Sequence, residues 1–468
     1  MSKKLFLILL FSIFGVIKAH SAPQLLQSTQ INKLEPIERK DRILILTPHP
    51  DDEAIGCAGI IQQALAVGAQ VKILYLTNGD HNQIAFIVYE KRLTLRKNEF
   101  IHMGEVRRRE AIKAMKLLGL NEKNLIFLGY PDFGTFTIFN QYWQTQRPFK
   151  SLLTRLSSVP YKENLFFGAP YIGESILSDL KKVLSSFNPT KIFVSHPADV
   201  NVDHKAFYLF LRIALGDLEK ELPRPKIYPY LIHHVGWPLP RRYHPELSLE
   251  PPEEFLNTEI NWMEFKLGPE QLKKKYQAIL CYKSQTESSA FYLLAFARQN
   301  ELFGDYPEIE LEKQVSSKEK TVSFFGFSHM LADSNIIATL GDLNNLIKDR
   351  GQVSYAVADN FLLIRIEKPE TLKHRFSTQL YLFGYSYKTP FAQMPKIRII
   401  TKYNRFRIFD GRKMIKPEGV YLEFNANVSI LKVPLQILGE PDFILTSIKT
   451  HREVLPFDTM GFRRIYIN

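Results

Sequence analysis

The run Pro48-His49-Pro50-Asp51-Asp52-Glu53 places one imidazole and three carboxylates directly behind an apolar stretch, Ile43 to Thr47. Packing gives no reason to gather so many ionisable groups, because burying unpaired charge is expensive. Divalent-metal chemistry does. Imidazole nitrogen and carboxylate oxygen are the donors of an open zinc site, and an adjacent carboxylate can take a proton from the attacking water. A second cluster, Ser195-His196-Pro197-Ala198-Asp199-Val200-Asn201-Val202-Asp203-His204, follows another short apolar run beginning at Lys191. One His and one Asp from the first cluster with one His from the second would supply three protein ligands and leave a position for water. A capped helix N-terminus is the competing structural reading, since Asp is common there. It accounts for one Asp, not for an ordered set with a partner cluster. Glu53 is assigned to the dipole of the helix that follows.

These clusters need a scaffold that brings them to one place. Residues 43–47, 71–76, 125–128 and 191–195 are short, β-branched-rich runs, and between them lie segments of helical period at 54–67, 106–118 and 173–186. Such alternation predicts an α/β fold, a Rossmann-like, doubly wound and mostly parallel sheet covered by helices. Gly68, Gly119 and Asn188-Pro189 stand where those helices should stop. In open sheets of this kind the site lies beyond the carboxyl ends of the strands, which is where both clusters fall. A Pro-rich, aromatic stretch at 223–262 reads as an ordered loop or short strand, and 269–300 as a helix broken near Ser284. His233 and His234 lie in that stretch and are read as structural.

The clusters resemble the PIG-L, or LmbE-like, family of metal-dependent N-deacetylases, which carries a His-Pro-Asp-Asp-Glu turn after its first strand and a later Asp-His pair. Three further segments are similar to it in the same order: Leu76-Thr77-Asn78-Gly79-Asp80, Arg107 with Glu110 in a helix ending at Leu118-Gly119, and Leu128-Gly129-Tyr130-Pro131-Asp132. The resemblance covers about 40–310. It implies His49, Asp52 and His204 as ligands of one Zn2+ and Asp51 as the general base. Asp203 is read as orienting the last ligand, Arg107 as a substrate contact or a solvated helix face, and Asp132 as a substrate-hydroxyl acceptor or a turn former. The resemblance also exposes a departure. Where many members have an oxyanion-stabilising His three residues before the last ligand, this chain has Asn201, which can donate a hydrogen bond but cannot carry positive charge; His196 or a second-domain residue is the expected substitute.

Beyond about 315 the pattern changes to short strands separated by turn residues, which predicts an antiparallel β-sandwich. The expected organisation is a leader at 1–22, a catalytic domain at 23–315 and a sandwich at 316–468. The sandwich is weakly similar to family 9 carbohydrate-binding modules, and Tyr381, Tyr385, Tyr387 and Tyr403 are its candidates for stacking on sugars. Lys3 and Lys4, an apolar run from Leu5 to Ile17 and small residues to Ala22 have the layout of a secretory signal peptide, so the expected location is periplasmic or secreted, with no transmembrane helix after its removal. Cys57 and Cys281 are expected as two buried free thiols.

The chain has 61 Lys and Arg against 48 Asp and Glu. The excess is local: residues 23–310 hold 35 basic and 33 acidic side chains, and residues 311–468 hold 23 and 15. A nearly neutral catalytic half argues against nucleic acid, and the basic C-terminal half suits an anionic envelope surface. With the resemblance, the expected function is zinc-dependent deacetylation of an N-acetylglucosamine-type carbohydrate or glycolipid. The alternative is a non-catalytic glycan-binding protein whose metal site is structural.

Overall fold

The computed structural model describes residues 31–468 apart from 83–86, 90, 92–95, 145, 257, 306, 315–324, 329–351, 368–375, 403–404, 426–427, 453–454 and 460. The leader and Tyr403 therefore lie outside the described residues. Strands β1 (Asn32–Lys33), β2 (Arg42–Thr47), β3 (Gln70–Thr77), β4 (Leu125–Tyr130), β5 (Lys191–Ser195), β6 (Lys226–Tyr230), β7 (Asn261–Lys266) and β8 (Asn300–Asp305) form one sheet in the order β1-β7-β8-β6-β5-β2-β3-β4. From β4 to β6 neighbouring strands are parallel. β8 then runs antiparallel to β6 and β7. The apolar runs are continuous because both faces are covered: Ile43, Ile45 and Ile73 belong to one core, Leu44, Leu46 and Leu74 to the other. Strands β7 and β8 are absent from the sequence reading, since their sequences, NWMEFK and NELFGD, alternate weakly.

Helices α1 (Asp52–Val67), α2 (Lys97–Leu117), α3 (Thr135–Gln141), α4 (Gly173–Phe187) and α5 (Val202–Asp217) cover the parallel part. Gly68 ends α1 in the left-handed region, as its position suggested. The expected long helix is two, α6 (Pro269–Ile279) and α7 (Lys283–Leu293), separated at 280–282. Glu110 of α2 accepts bonds from the Ser284 backbone N–H at 2.8 Å and hydroxyl at 2.6 Å, which ties α7 to α2. Behind α1, Lys275 Nζ lies 2.8 Å from Glu301, both side chains are buried, and Glu301 also accepts from the backbone of Gly59 and Ile60. Removing one partner strands the other charge in the interior. Lys275→Met is expected to cost about 3–5 kcal/mol, measured as a lower midpoint in urea unfolding. Cys57 and Cys281 are buried and free.

Strands β9 (Ile309–Leu311), β10 (Lys313–Gln314), β11 (Phe325–Ser328), β12 (Gln352–Ala358), β13 (Phe361–Glu367), β14 (Phe376–Tyr385), β15 (Lys396–Lys402), β16 (Arg405–Asp410), β17 (Lys413–Ile415), β18 (Tyr421–Asn425), β19 (Val428–Pro434), β20 (Phe443–Arg452), β21 (Leu455–Thr459) and β22 (Arg463–Ile467) make two further sheets. One runs β10-β12-β13-β19-β18, with β11 on β12; the other runs β17-β16-β15-β14-β20-β22-β9, with β21 on β20. Their inner faces share a core that includes Tyr355, Ile364, Leu380, Leu382 and Ile399. Alternation along β14 then sends Phe383 and Tyr385 to the opposite face, where they join the core of the N-terminal half.

That face is the contact between the two halves. Phe139 of α3 lies 5.0 Å from Phe210 of α5, 5.2 Å from Phe383 and 5.5 Å from Phe391, all centroid to centroid. Phe462 stacks on Phe383 at 5.9 Å, and its backbone N–H donates to Pro197 O at 3.2 Å. A Cβ at the preceding Gly461 would sit 2.9 Å from Ala198, so only glycine permits this approach. Tyr385 donates to Asp217 at 3.0 Å. The expectation that Tyr381 and Tyr385 stack on sugars therefore fails: Tyr385 is buried at this contact, and Tyr381 lies against Phe136 and Phe462. Tyr387 is exposed.

Candidate metal and catalytic site

Parallel strand order reverses between β2 and β5, so the loops leaving their carboxyl ends diverge and open a crevice. The β2 loop brings His49, Asp51 and Asp52, and the β5 loop with the start of α5 brings Asp199, Asn201, Asp203 and His204. His49 Nδ1 is 3.4 Å and His204 Nε2 is 3.2 Å from the same oxygen, Asp52 Oδ2. The rings of His49 and His204 are 5.3 Å apart. His49, Asp52, His204 and His233 each offer a ligand atom within 4.8 Å of the others.

The donors fit a cation. His204 Nε2 is buried and makes no hydrogen bond, although Asp52 Oδ2 lies 3.2 Å away. Electrostatics agree. Burial opposes charge on both imidazoles, yet Asp132, Asp203 and Asp52 hold His49 well above its ordinary pKa, and Asp199 and Asp52 push His204 up to about 9. The pocket favours positive charge where a metal would displace those protons. The side of His204 away from Asp52 is fixed by Asp199, whose Oδ2 is 3.1 Å from Nδ1 and accepts from the backbone of Ile232 at 3.2 Å and His233 at 2.9 Å. An outer carboxylate of this kind orients a ligating imidazole. Burial works against ionising Asp199, but His204 and His233 lower its pKa to about 2.

Asp203 stands elsewhere than beside the ring of His204. Its Oδ2 is 3.4 Å from His49 Nε2 and accepts from Phe133 N at 2.6 Å, while Oδ1 accepts from the backbone and hydroxyl of Thr135 at the start of α3. Asp132 Oδ1 is 3.1 Å from His49 Nε2 and its Oδ2 accepts from His81 N at 3.0 Å. Burial opposes its ionisation, but His49 and Arg107 hold it below the usual carboxylate range. Both carboxylates thus brace the first loop. Asn201 caps α5, its Oδ1 accepting from Asp203 N at 2.8 Å.

Asp51 sits at the N-cap of α1 with φ 126°, a strained conformation for a residue with a Cβ. Two side chains hold it there. Glu53 accepts from the Asp51 backbone N–H at 3.1 Å, and Arg107 Nη2 donates to Pro50 O at 2.7 Å and to Asp51 Oδ2 at 3.2 Å. Arg107 also donates to Gly79 O, and Gly79 has φ +70° with no room for a Cβ beneath the guanidinium. Arg107 is therefore buried under the carboxylate, not presented to an open cleft. Burial raises Asp51 to about 7, against the pull of Arg107. Glu53, expected only at the helix dipole, is buried, accepts from Tyr282 OH and is raised to about 8 by burial.

From the sequence His233 reads as structural, and Asp199 has no assigned role. Asp199 stood inside the cluster that drew attention, so its signal was present. His233 carried none, because its place depends on the turn after β6. His196 is buried, lies parallel to Trp262 at 5.7 Å, and its Nδ1 accepts from Ala198 N at 3.1 Å.

Residues 44–215 match PIG-L, the GlcNAc-PI de-N-acetylase family. The matched PIG-L segment begins in β2 and ends in α5, so it contains both loops of the crevice. Solved structures similar to the chain include the N,N'-diacetylchitobiose deacetylase from Pyrococcus horikoshii, 18% identical over 53% of this chain and 72% of that one, with a TM-score of 0.33. The A40926 pseudoaglycone deacetylase is 17% identical over 57% and 96%, at 0.35. A 4-carboxy-2-hydroxymuconate hydratase from Pseudomonas putida is 14% identical over 57% and 97%, at 0.33. No curated protein matches the chain. Among the described residues, no helix is long and apolar enough to cross a membrane.

Proposed function

We propose that the chain is an exported, metal-dependent N-deacetylase that hydrolyses the N-acetyl group of an N-acetylglucosamine-type sugar in an envelope glycan, glycolipid or glycoconjugate and releases acetate. One observation carries this reading most: a strained, buried Asp51 is braced by Glu53 and Arg107 beside a cluster of donors suited to a cation. His49, Asp52 and His204 would hold the ion, with zinc the metal that the donor set suits. When bound, such an ion acidifies water to a pKa of about 7 and polarises an acyl carbonyl. Asp51 accepts the proton of the attacking water as its oxygen bonds to the acyl carbon, and returns that proton to the amine as the C–N bond breaks. Asp199 keeps His204 in one orientation, and Asp132 and Asp203 do the same for His49. Export rests on the leader layout, and docking of the C-terminal half to an anionic surface rests on its basic excess.

The experiment is metal content of the purified mature chain together with acetate release from a panel of N-acetylglucosamine conjugates. His204→Ala is expected to lower zinc affinity at least 100-fold, by analogy with the sensitivity of such sites even to their outer partners, and to abolish acetate release. A wild-type chain that binds no divalent metal overturns the proposal. A second reading has one observation in its favour: His233 brings the donor cluster to four, and four protein ligands make a closed, structural zinc site.

A further inference from the structure

We infer that His233 donates a hydrogen bond to the acyl oxygen as negative charge develops there, a task for which this chain has Asn201 in place of the expected His. The inference rests on the deacetylase reading above. At Asn201 the side-chain oxygen caps α5 and the backbone N–H donates to Asp199 Oδ1 at 2.9 Å, which ties the amide to the start of that helix. His196 is committed to Trp262 and the Ala198 backbone. His233 differs from both. Its main chain is fastened to the second cluster from two sides, the N–H donating to Asp199 at 2.9 Å and the carbonyl accepting from Val200 N at 2.9 Å. Its ring meets His204 at 4.7 Å and 75°, and its other face lies nearly parallel to Tyr292 at 6.1 Å. Tyr292 is itself fixed, donating to Ile232 O at 2.7 Å.

The imidazole is thus held rigid while one of its nitrogens faces the donor cluster. No hydrogen bond occupies its ring nitrogens among the described residues, and the residue is half-buried, so a substrate can reach it. Position separates this role from that of a ligand. His49 and His204 each come within 3.4 Å of Asp52, whereas no ion-pair contact joins the His233 ring to a carboxylate among the described residues. A donor at the rim, already aimed and backed by an aromatic ring, costs no reorganisation when the tetrahedral oxyanion forms. A fourth ligand in its place would fill the position that water needs.

The test uses the full mature chain with His233→Ala and His233→Gln, each checked for an unchanged thermal midpoint. Four quantities are read: zinc affinity by competition with a chromophoric chelator, kcat and KM for acetate release from an N-acetylglucosamine conjugate, and affinity for a methylphosphonamidate analogue of that sugar. His233→Ala is expected to keep zinc affinity within about 3-fold, to lower kcat about 100- to 1,000-fold with little change in KM, and to lose analogue affinity by a similar factor. His233→Gln, which keeps an N–H, recovers part of both. A 100-fold loss of zinc affinity in His233→Ala overturns the inference and makes the residue a ligand of a closed site. Unchanged kcat and analogue affinity in His233→Ala overturn it while leaving the deacetylase reading intact. A wild-type chain that holds zinc yet neither releases acetate nor binds the analogue removes the deacetylase reading, and this inference with it.

Discussion

Asp51→Ala is expected to cut acetate release by about 1,000-fold or more while leaving zinc content at the wild-type value, because the carboxylate accepts a proton and is not needed to hold the ion. The reason to expect a large effect is the expense of the arrangement. Asp51 occupies φ 126°, a conformation that costs a residue with a Cβ about 1–3 kcal/mol, and it lies out of solvent beside Asp52. Burial pushes its pKa up to about 7 and Arg107 pulls the other way. The ionised form is the base, so activity should fall as pH drops through about 7 and hold above it; a bound divalent cation favours the carboxylate and moves that limb to lower pH. Asp51→Asn removes the limb together with the activity. Full acetate release by Asp51→Ala would show that another group takes the proton. Arg107→Ala separates support from chemistry: it removes a positive charge beneath the carboxylate, so it should raise the pH of the limb instead of abolishing turnover.

The parts of this site that the sequence revealed are those carried within a few residues of a strand end. His49, Asp51 and Asp52 follow β2 immediately, and Asp199 to His204 follow β5, so strand recognition alone placed both at one edge of the sheet. Parallel strands were legible because their apolar runs are unbroken, a consequence of burial on both faces. Strands β7 and β8 were not, because their contribution is set by antiparallel pairing at the sheet's far side and not by a run of their own. His233 was illegible for the same kind of reason. Its ring reaches the cluster only because Asp199 binds its backbone N–H, a contact between residues separated by a strand and a helix. Arg107 was legible as a residue but not as a role: among neighbouring arginines it reads as a solvated helix face, and only the close passage of Gly79 shows that it is buried under Asp51.

Removing the C-terminal sheets is expected to abolish the N-terminal fold, because the aromatic residues of the two halves share one core. Deleting residues 309–468 is expected to leave an insoluble fragment with no cooperative unfolding transition, because Phe139, Trp143 and Phe210 would lose Phe383, Phe391 and Phe462 from a shared core. A polar link at the rim would go as well: Glu308, which lies 3.2 Å from Arg212 of α5, would lose Arg464 of β22. A single substitution tests the same contact more gently. Phe462→Ala should destabilise the whole chain by about 3–5 kcal/mol, the usual cost of emptying an aromatic site in a core, and it should do so in one transition seen equally by near-ultraviolet and far-ultraviolet circular dichroism. Two separate transitions, or a soluble and folded 23–308 fragment, would mean that the halves are independent modules. The effect should reach the site too, since the Phe462 backbone binds Pro197 and Gly461 packs on Ala198, just before Asp199. A sheet that first reads as an appended recognition module is thereby built into the wall behind the second cluster.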